Sequence, residues 1–134
     1  KVENISKQNK VHEVYNQHEP CFVLYQITMD WIKIFKSKKE AFYVLKLNSI
    51  RKVTVHNKDF CLIRTSKGIF VTTNSCSHDG AQLTLGKCST NGAIECPWHH
   101  YLFDPASGTC INHDCGPLET FPVKIDENGV FFQV

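Results

Sequence analysis

Apolar and polar residues alternate with a period of two in several short stretches from Trp31 onward, which is the pattern of half-buried β-strands. Short polar segments at residues 57–59 and 66–68 separate three of these stretches and predict two consecutive hairpins. The predicted strands cover residues 31–35, 50–55, 60–64, 69–72, 93–95, 101–103, 119–125 and 130–134, and residues 73–92 are predicted to form a loop. Many short strands with closely spaced turns indicate an all-β fold, either an antiparallel β-sandwich or a small barrel.

One short helix is expected between the first two strands. Ser37 and Glu40 have the S-x-x-E spacing of a capping box, in which a hydroxyl and a carboxylate satisfy two free backbone amides. The sequence therefore predicts a helix over about residues 37–43, and no internal repeat or helix-rich region competes with the β assignment.

The first part of the chain has a different character. Residues 1–28 are polar and irregular, with Asn and Gln scattered among charged residues. We therefore expect an N-terminal extension over residues 1–28 and one compact domain over residues 29–134.

Composition and charge exclude several classes of protein. A hydrophobic content of 42% in 134 residues suffices for one packed core, and residues 21–27, the longest apolar-rich piece, are far too few to cross a membrane. The net charge of +2 combines +8 in residues 31–67 with −5 in residues 68–134 and −1 in residues 1–30. A basic block can indicate nucleic-acid binding, but alternating strands place such lysines on a solvated face, so neither a nucleic acid nor a membrane is an expected partner.

The cysteines indicate metal binding. Their number, seven, is odd, so they cannot all pair, and metal ligation in a reducing cytoplasm is the better explanation. Two predicted loops each offer one thiol and one imidazole, Cys76-x-His78 and Cys96-x-x-His99. Two thiolates and two imidazoles suit either tetrahedral zinc or a two-iron cluster with mixed ligands, and this spacing does not decide between them.

The residues around these pairs resemble the Rieske [2Fe-2S] domain, in particular its soluble ferredoxin branch. The resemblance rests on the segments Asn74-Ser75-Cys76-Ser77-His78-Asp79-Gly80, Leu83-Thr84-Leu85-Gly86, Cys96-Pro97-Trp98-His99-His100-Tyr101-Leu102-Phe103-Asp104 and Leu118-Glu119-Thr120-Phe121-Pro122-Val123. It covers residues 29–134, with the cluster-binding loops at about 74–104. It implies an antiparallel β-domain with an inserted cluster-binding subdomain, in which Cys76 and Cys96 hold one iron and His78 and His99 the other.

The resemblance also implies a low reduction potential. High-potential relatives carry a disulfide at the positions of Ala81 and Trp98, and hydroxyl donors toward sulfur at the positions of Tyr101 and Phe103. Phe103 cannot donate, and Tyr101 has a longer reach and a different shape. Because hydrogen bonds to cluster sulfur stabilise the reduced state, we expect a potential at the low end of the roughly −150 to +300 mV Rieske range.

By the same resemblance we expect an electron carrier rather than an enzyme. We expect a monomer that passes single electrons from a reductase to an oxygenase or related terminal enzyme. A small subunit of a nitrite-reductase-like assembly and a redox or iron sensor are the alternatives. The acidic half of the chain predicts a partner with a basic patch.

The remaining cysteines and histidines are not expected to bind metal. Cys61 is predicted to lie in the core. Cys110 and Cys115 could pair with each other or be free thiols, and free thiols are favoured in a reducing cytosol. His113 is expected on a surface loop, and His100 occupies a position where the family often has Gly.

Overall fold

The computed structural model describes residues 30–134, and the predicted extension over residues 1–28, with the domain start near Met29, lies outside them. Ten strands and one α-helix follow in the order β1 Trp31–Phe35, α1 Lys38–Val44, β2 Ser49–Val55, β3 Lys58–Thr65, β4 Gly68–Thr73, β5 Lys87–Cys88, β6 Ile94–Glu95, β7 Leu102–Phe103, β8 Thr120–Phe121, β9 Val123–Asp126 and β10 Gly129–Gln133, with a 3-10 turn at Leu83–Leu85. All strand pairs are antiparallel. The predicted all-β class with one short helix is confirmed.

The described residues form two compact units, of which the smaller consists of Val123–Val134 and the described residues up to Ala41. Its three-stranded sheet has the order β1-β10-β9. Ile32 of β1 lies opposite Phe132 of β10, and both side chains are fully buried. The period-two pattern of the first predicted strand therefore places its apolar face in this core.

The helix begins with the expected capping contacts. Ser37 Oγ accepts a hydrogen bond from the backbone N–H of Glu40 at 3.0 Å, and Glu40 Oε1 accepts one from the N–H of Lys36 at 2.9 Å. At the other end, the Arg64 guanidinium donates to the carbonyls of Phe42 and Leu45, which are among the groups that a helix C-terminus leaves without intrahelical partners. The helix thus runs one residue later than the predicted 37–43.

The larger unit, residues 42–122, contains two sheets. A four-stranded sheet has the order β2-β3-β4-β8, and a small sheet has the order β5-β6-β7. Strand β3 is buried along Phe60, Cys61, Leu62 and Ile63, which confirms Cys61 as a core residue. Burial raises the pKa of the Cys61 thiol to about 12, so this thiol stays protonated.

Two sequence-based assignments need correction. The single strand predicted over residues 119–125 is wrong, because Pro122 has no N–H to continue a ladder and separates β8 from β9, which belong to different sheets. The loop predicted over residues 73–92 contains the 3-10 turn and β5. Strand β5 has two residues, too few to show a period of two.

The charged segment 31–67 is consistent with a solvated face, since Arg51, Lys52 and Lys58 are exposed on the first hairpin. Among the residues that the structure describes, no helix has both the length and the apolar character needed to span a membrane.

Candidate metal centre

The first candidate ligand loop, residues 74–86, follows β4. Backbone hydrogen bonds within it form a closed turn around Cys76. The N–H of Cys76 donates to the carbonyl of Ala81 at 2.8 Å, and the N–H of Gly80 donates back to the carbonyl of Cys76 at 2.8 Å. Asn74, which is buried, accepts at its side-chain oxygen from the N–H of Thr84 at 2.9 Å and so ties the two ends of the loop together. These bonds fix the direction in which the loop presents its thiol.

The second ligand loop, between β6 and β7, repeats the same turn. The N–H of Cys96 donates to the carbonyl of Tyr101 at 2.9 Å, and the N–H of His100 donates to the carbonyl of Cys96 at 3.1 Å. The fourth residue after each cysteine has a positive φ, +83° at Gly80 and +61° at His100. This explains why Gly suits the position, and it shows that His100 adopts the left-handed conformation in this chain.

The two cysteine thiols lie inside this turn pair and are almost completely buried, with Cys76 3% and Cys96 1% exposed. Burial raises the pKa of Cys76, while the backbone N–H groups of His78 and Asp79 act in the opposite direction. The N–H of His78 lies 3.4 Å from the sulfur of Cys76. A buried pair of thiols of this kind becomes a pair of thiolates when a metal supplies the compensating charge.

The two imidazoles lie together on the solvent side. Their ring centroids are 5.2 Å apart, and the side chains of His78 and His99 are 36% and 55% exposed. The Nδ1 atoms of both rings face one carboxylate oxygen of Asp79, at 3.5 Å and 3.0 Å. Both rings therefore turn the same nitrogen toward one point.

The donor atoms form two groups that share Asp79, Cys76–Asp79–Cys96 and His78–Asp79–His99, each within 4.8 Å. The structure thus brings together all four residues that the sequence singled out. The two sulfur donors are buried and the two nitrogen donors are exposed, on either side of a shared carboxylate. This division fits a two-iron centre with sulfur on one iron and nitrogen on the other, as in mixed Cys/His ligation.

Asp79 is the residue that sequence reasoning missed, because the two ligand motifs single out cysteine and histidine only. Its side chain is 23% exposed and touches both imidazoles. The available signal was its position directly after the histidine of the Cys-x-His motif. A second unexpected contact joins His100 Nδ1 to Glu95 Oε2 at 2.6 Å.

The expectation that Cys110 and Cys115 are free thiols is wrong, because their sulfur atoms are bonded to each other. Cys110 pairs with Phe103 of β7 in an isolated antiparallel β-bridge. The backbone N–H of Ile111 donates to the carbonyl of Leu102 at 2.7 Å. The chain then turns back within five residues, so that the Cα atoms of the two cysteines are 5.9 Å apart, within the range for a disulfide.

Comparison with known proteins finds a family match over most of the described residues. A family model described as the Rieske [2Fe-2S] domain matches residues 30–122. The ferredoxin component of the naphthalene 1,2-dioxygenase system of Pseudomonas aeruginosa is 31% identical over 98 residues, which cover 70% of this chain and 90% of that protein.

Two solved structures are similar as well. One, described as a complex of reduced oxygenase and oxidized ferredoxin in carbazole 1,9a-dioxygenase, matches with a TM-score of 0.65 and 26% identity over 77% of this chain and 92% of that chain. A ferredoxin of Sphingomonas yanoikuyae B1 matches with a TM-score of 0.62 and 28% identity over 76% of this chain and 98% of that chain.

Proposed function

Since the chain belongs to the Rieske [2Fe-2S] domain family, we propose that its two Cys–His pairs hold a [2Fe-2S] cluster and that the protein carries single electrons. The proposed ligands are Cys76 and Cys96 for one iron, and His78 and His99 for the other. The cluster, when bound, supplies a centre that accepts and releases one electron. The observation that carries the proposal is the pair of donor groups around Asp79, with sulfur buried and nitrogen exposed.

The chain's own residues then divide the work of electron transfer between them. The buried thiols and the matching turns keep water from one side of the centre and fix its position. The exposed His78 and His99 rings provide the short route by which an electron reaches a partner. No bond chemistry is required of any side chain, so the role is that of a carrier and not of an enzyme.

We also propose a low reduction potential, because the chain lacks hydrogen-bond donors that high-potential relatives direct toward the cluster sulfur. Phe103 is fully buried and has no hydrogen-bond donor, and Ala81 stands where a disulfide cysteine would be needed. The N–H of His78 is a donor toward Cys76 sulfur. Few donors to sulfur leave the more negative, reduced state less stabilised.

The partners we propose are a reductase as donor and an oxygenase or related terminal enzyme as acceptor, met by a monomeric carrier. The similar proteins described as ferredoxin components of dioxygenase systems support this assignment. Two large apolar side chains, Leu85 and Trp98, are 70% and 61% exposed within the two cluster-binding loops. Asp79 and Glu95 lie in or next to the same loops, and apolar side chains beside acidic ones suit a partner with a basic patch.

A pair of adjacent histidines offers a matched test of the ligand set. The purified chain should be coloured and show the visible circular dichroism and the reduced-state EPR signal of an iron–sulfur cluster. His99→Ala should abolish these signals, whereas His100→Gly, which removes the neighbouring exposed imidazole and tolerates the left-handed backbone there, should keep them. A colourless wild-type protein with one zinc ion per chain would overturn the cluster assignment.

We also propose that the protein works in the cytoplasm and binds no nucleic acid. Fractionation should recover the protein in the cytoplasmic fraction. Glutathione keeps most cytosolic thiols reduced, so thiol trapping in the same rapidly quenched cells tests whether the folded loop protects the disulfide, and it should find Cys110 and Cys115 bonded to each other. Recovery from an extracytoplasmic fraction would contradict this location.

A further inference from the structure

Three aromatic rings are stacked at the exposed end of the centre. The rings of His78 and Tyr101 lie 4.3 Å apart with an interplanar angle of 26°. The ring of His113 covers the Tyr101 ring at 4.0 Å and 17°. His78, a ligand in the proposed function, is thus the inner ring of a stack whose outer ring comes from a different loop.

That loop, residues 110–116, is attached to both ligand loops. The side chain of Asn112 accepts from the N–H of Leu102 at 2.9 Å and donates to the carbonyl of His100 at 3.1 Å, which ties it to the second ligand loop. Ser77, between the first two ligands, donates from its hydroxyl to the carbonyl of Gly116. The Cys110–Cys115 disulfide closes the loop around Asn112, and Gly116 follows directly after it. His113 is therefore held over Tyr101 by covalent and hydrogen-bonded constraints.

The two imidazoles differ accordingly in their exposure. The stacked His78 side chain is 36% exposed, whereas that of His99, whose ring meets Tyr101 only at an angle of 62° and 6.3 Å, is 55% exposed. The stack therefore distinguishes two rings that the ligand motif alone treats as equivalent.

We propose that Tyr101 and His113 are positioning residues that fix the plane of the His78 ring and shield one of its faces from water, with the disulfide-closed loop holding them in place. This inference rests on the proposed function, since it assigns the role through His78 as a cluster ligand. Because the reduced centre carries the additional negative charge, water near a ligand stabilises the reduced state. Loss of the stack should therefore raise the reduction potential.

The central experiment replaces the outer ring in the cluster-loaded protein. His113→Ala should shift the midpoint potential to a more positive value and alter the reduced-state EPR line shape, which reports the orientation of the ligands. His113→Phe keeps a flat ring that can stack and should restore both values to those of the wild type. His56→Ala makes the same change on the exposed turn between β2 and β3 and should leave both readouts unchanged.

A second arm tests the loop closure. The double variant Cys110→Ser/Cys115→Ser should shift the potential in the same direction as His113→Ala. Adding His113→Ala to it should produce less than the sum of the two shifts, because both changes remove the same stack. Iron content and far-ultraviolet circular dichroism confirm that each variant is loaded and folded.

The outcomes separate this inference from the proposed function. A wild-type chain without a redox-active cluster would overturn the proposed function. A loaded wild type with a His113→Ala variant of unchanged potential and EPR spectrum would overturn only the positioning role. If His113→Phe shifted the potential as far as His113→Ala, the imidazole itself and not the stacking would matter, which also contradicts the proposal.

Discussion

Replacement of Asp79 by Asn should raise the reduction potential of the loaded protein. The carboxylate lies within 4.8 Å of the sulfur donors in one group and of the imidazole nitrogens in the other. A negative charge at this position opposes the arrival of an electron. Asn has almost the same shape and removes the charge, so the substitution isolates the electrostatic contribution.

The size of the effect follows from Coulomb's law. Two unit charges about 5 Å apart interact by about 0.8 kcal/mol at the dielectric constant of water and about 3.3 kcal/mol at an effective constant of 20. For a one-electron couple, about 1.4 kcal/mol corresponds to 59 mV, so the expected rise lies between roughly 35 and 140 mV. Since the side chain of Asp79 is 23% exposed and both imidazoles reach solvent, the lower half of this range is expected.

The assay is a redox titration of the wild type and Asp79→Asn, monitored by visible circular dichroism at low and high salt. Added salt should reduce the difference between the two proteins, because the charge is partly exposed. Glu127→Gln serves as the control, since it removes one negative charge from the smaller unit, outside the unit that holds the ligand loops. An unchanged or lowered potential in Asp79→Asn would refute the reasoning, because the carboxylate would then not act on the loaded centre.

Three further predictions concern stability and association. Phe103→Ala should lower the free energy of unfolding by about 3–5 kcal/mol in urea titration, since the ring is fully buried among the side chains beneath the ligand loops; a loss below about 1 kcal/mol would argue against that packing. Stability should fall as the pH rises above 9.0, because the unfolded chain releases the Cys61 proton while the folded chain, with a pKa of about 12, retains it. Cys61→Ala should flatten this dependence, and an equal slope in both proteins would contradict the assignment. Finally, the rate of electron transfer to a partner should fall as salt is raised from about 0.05 to 0.5 M. A rate that does not depend on salt would exclude docking guided by charge.

The alternating pattern predicts a strand where one of its two faces is buried and the other is more exposed. Residues 31–35 alternate because one face packs in a core, and the structure reproduces these bounds. A strand of two residues, such as Lys87–Cys88, is too short to show the alternation. The pattern also misleads where a proline inside an alternating stretch marks a change of sheet, as at Pro122.

At the site, the spacing of residues within each motif could be read from the sequence, but contacts between residues distant in the chain could not. The Cys-x-His and Cys-x-x-His motifs lie within single turns, so their spacing alone indicated that each pair could reach one centre. The disulfide and the position of His113 depend on how residues 110–116 fold back onto both ligand loops, through contacts such as that between Ser77 and Gly116, which are 39 residues apart. No local pattern in the sequence reports such a contact.

The low potential proposed for this chain has three sources in the structure. Position 103 offers no hydroxyl near the ligands, Asp79 adds a negative charge beside the centre, and the stack on His78 reduces the contact of one ring with water. The main-chain hydrogen bonds that close the two ligand turns involve none of these three side chains. It follows that the potential can be adjusted at Asp79 and at His113 while the turns stay closed. The two substitutions should not be additive, because Asp79 Oδ2 lies 3.5 Å from His78 Nδ1 and the His113 stack acts on the same ring.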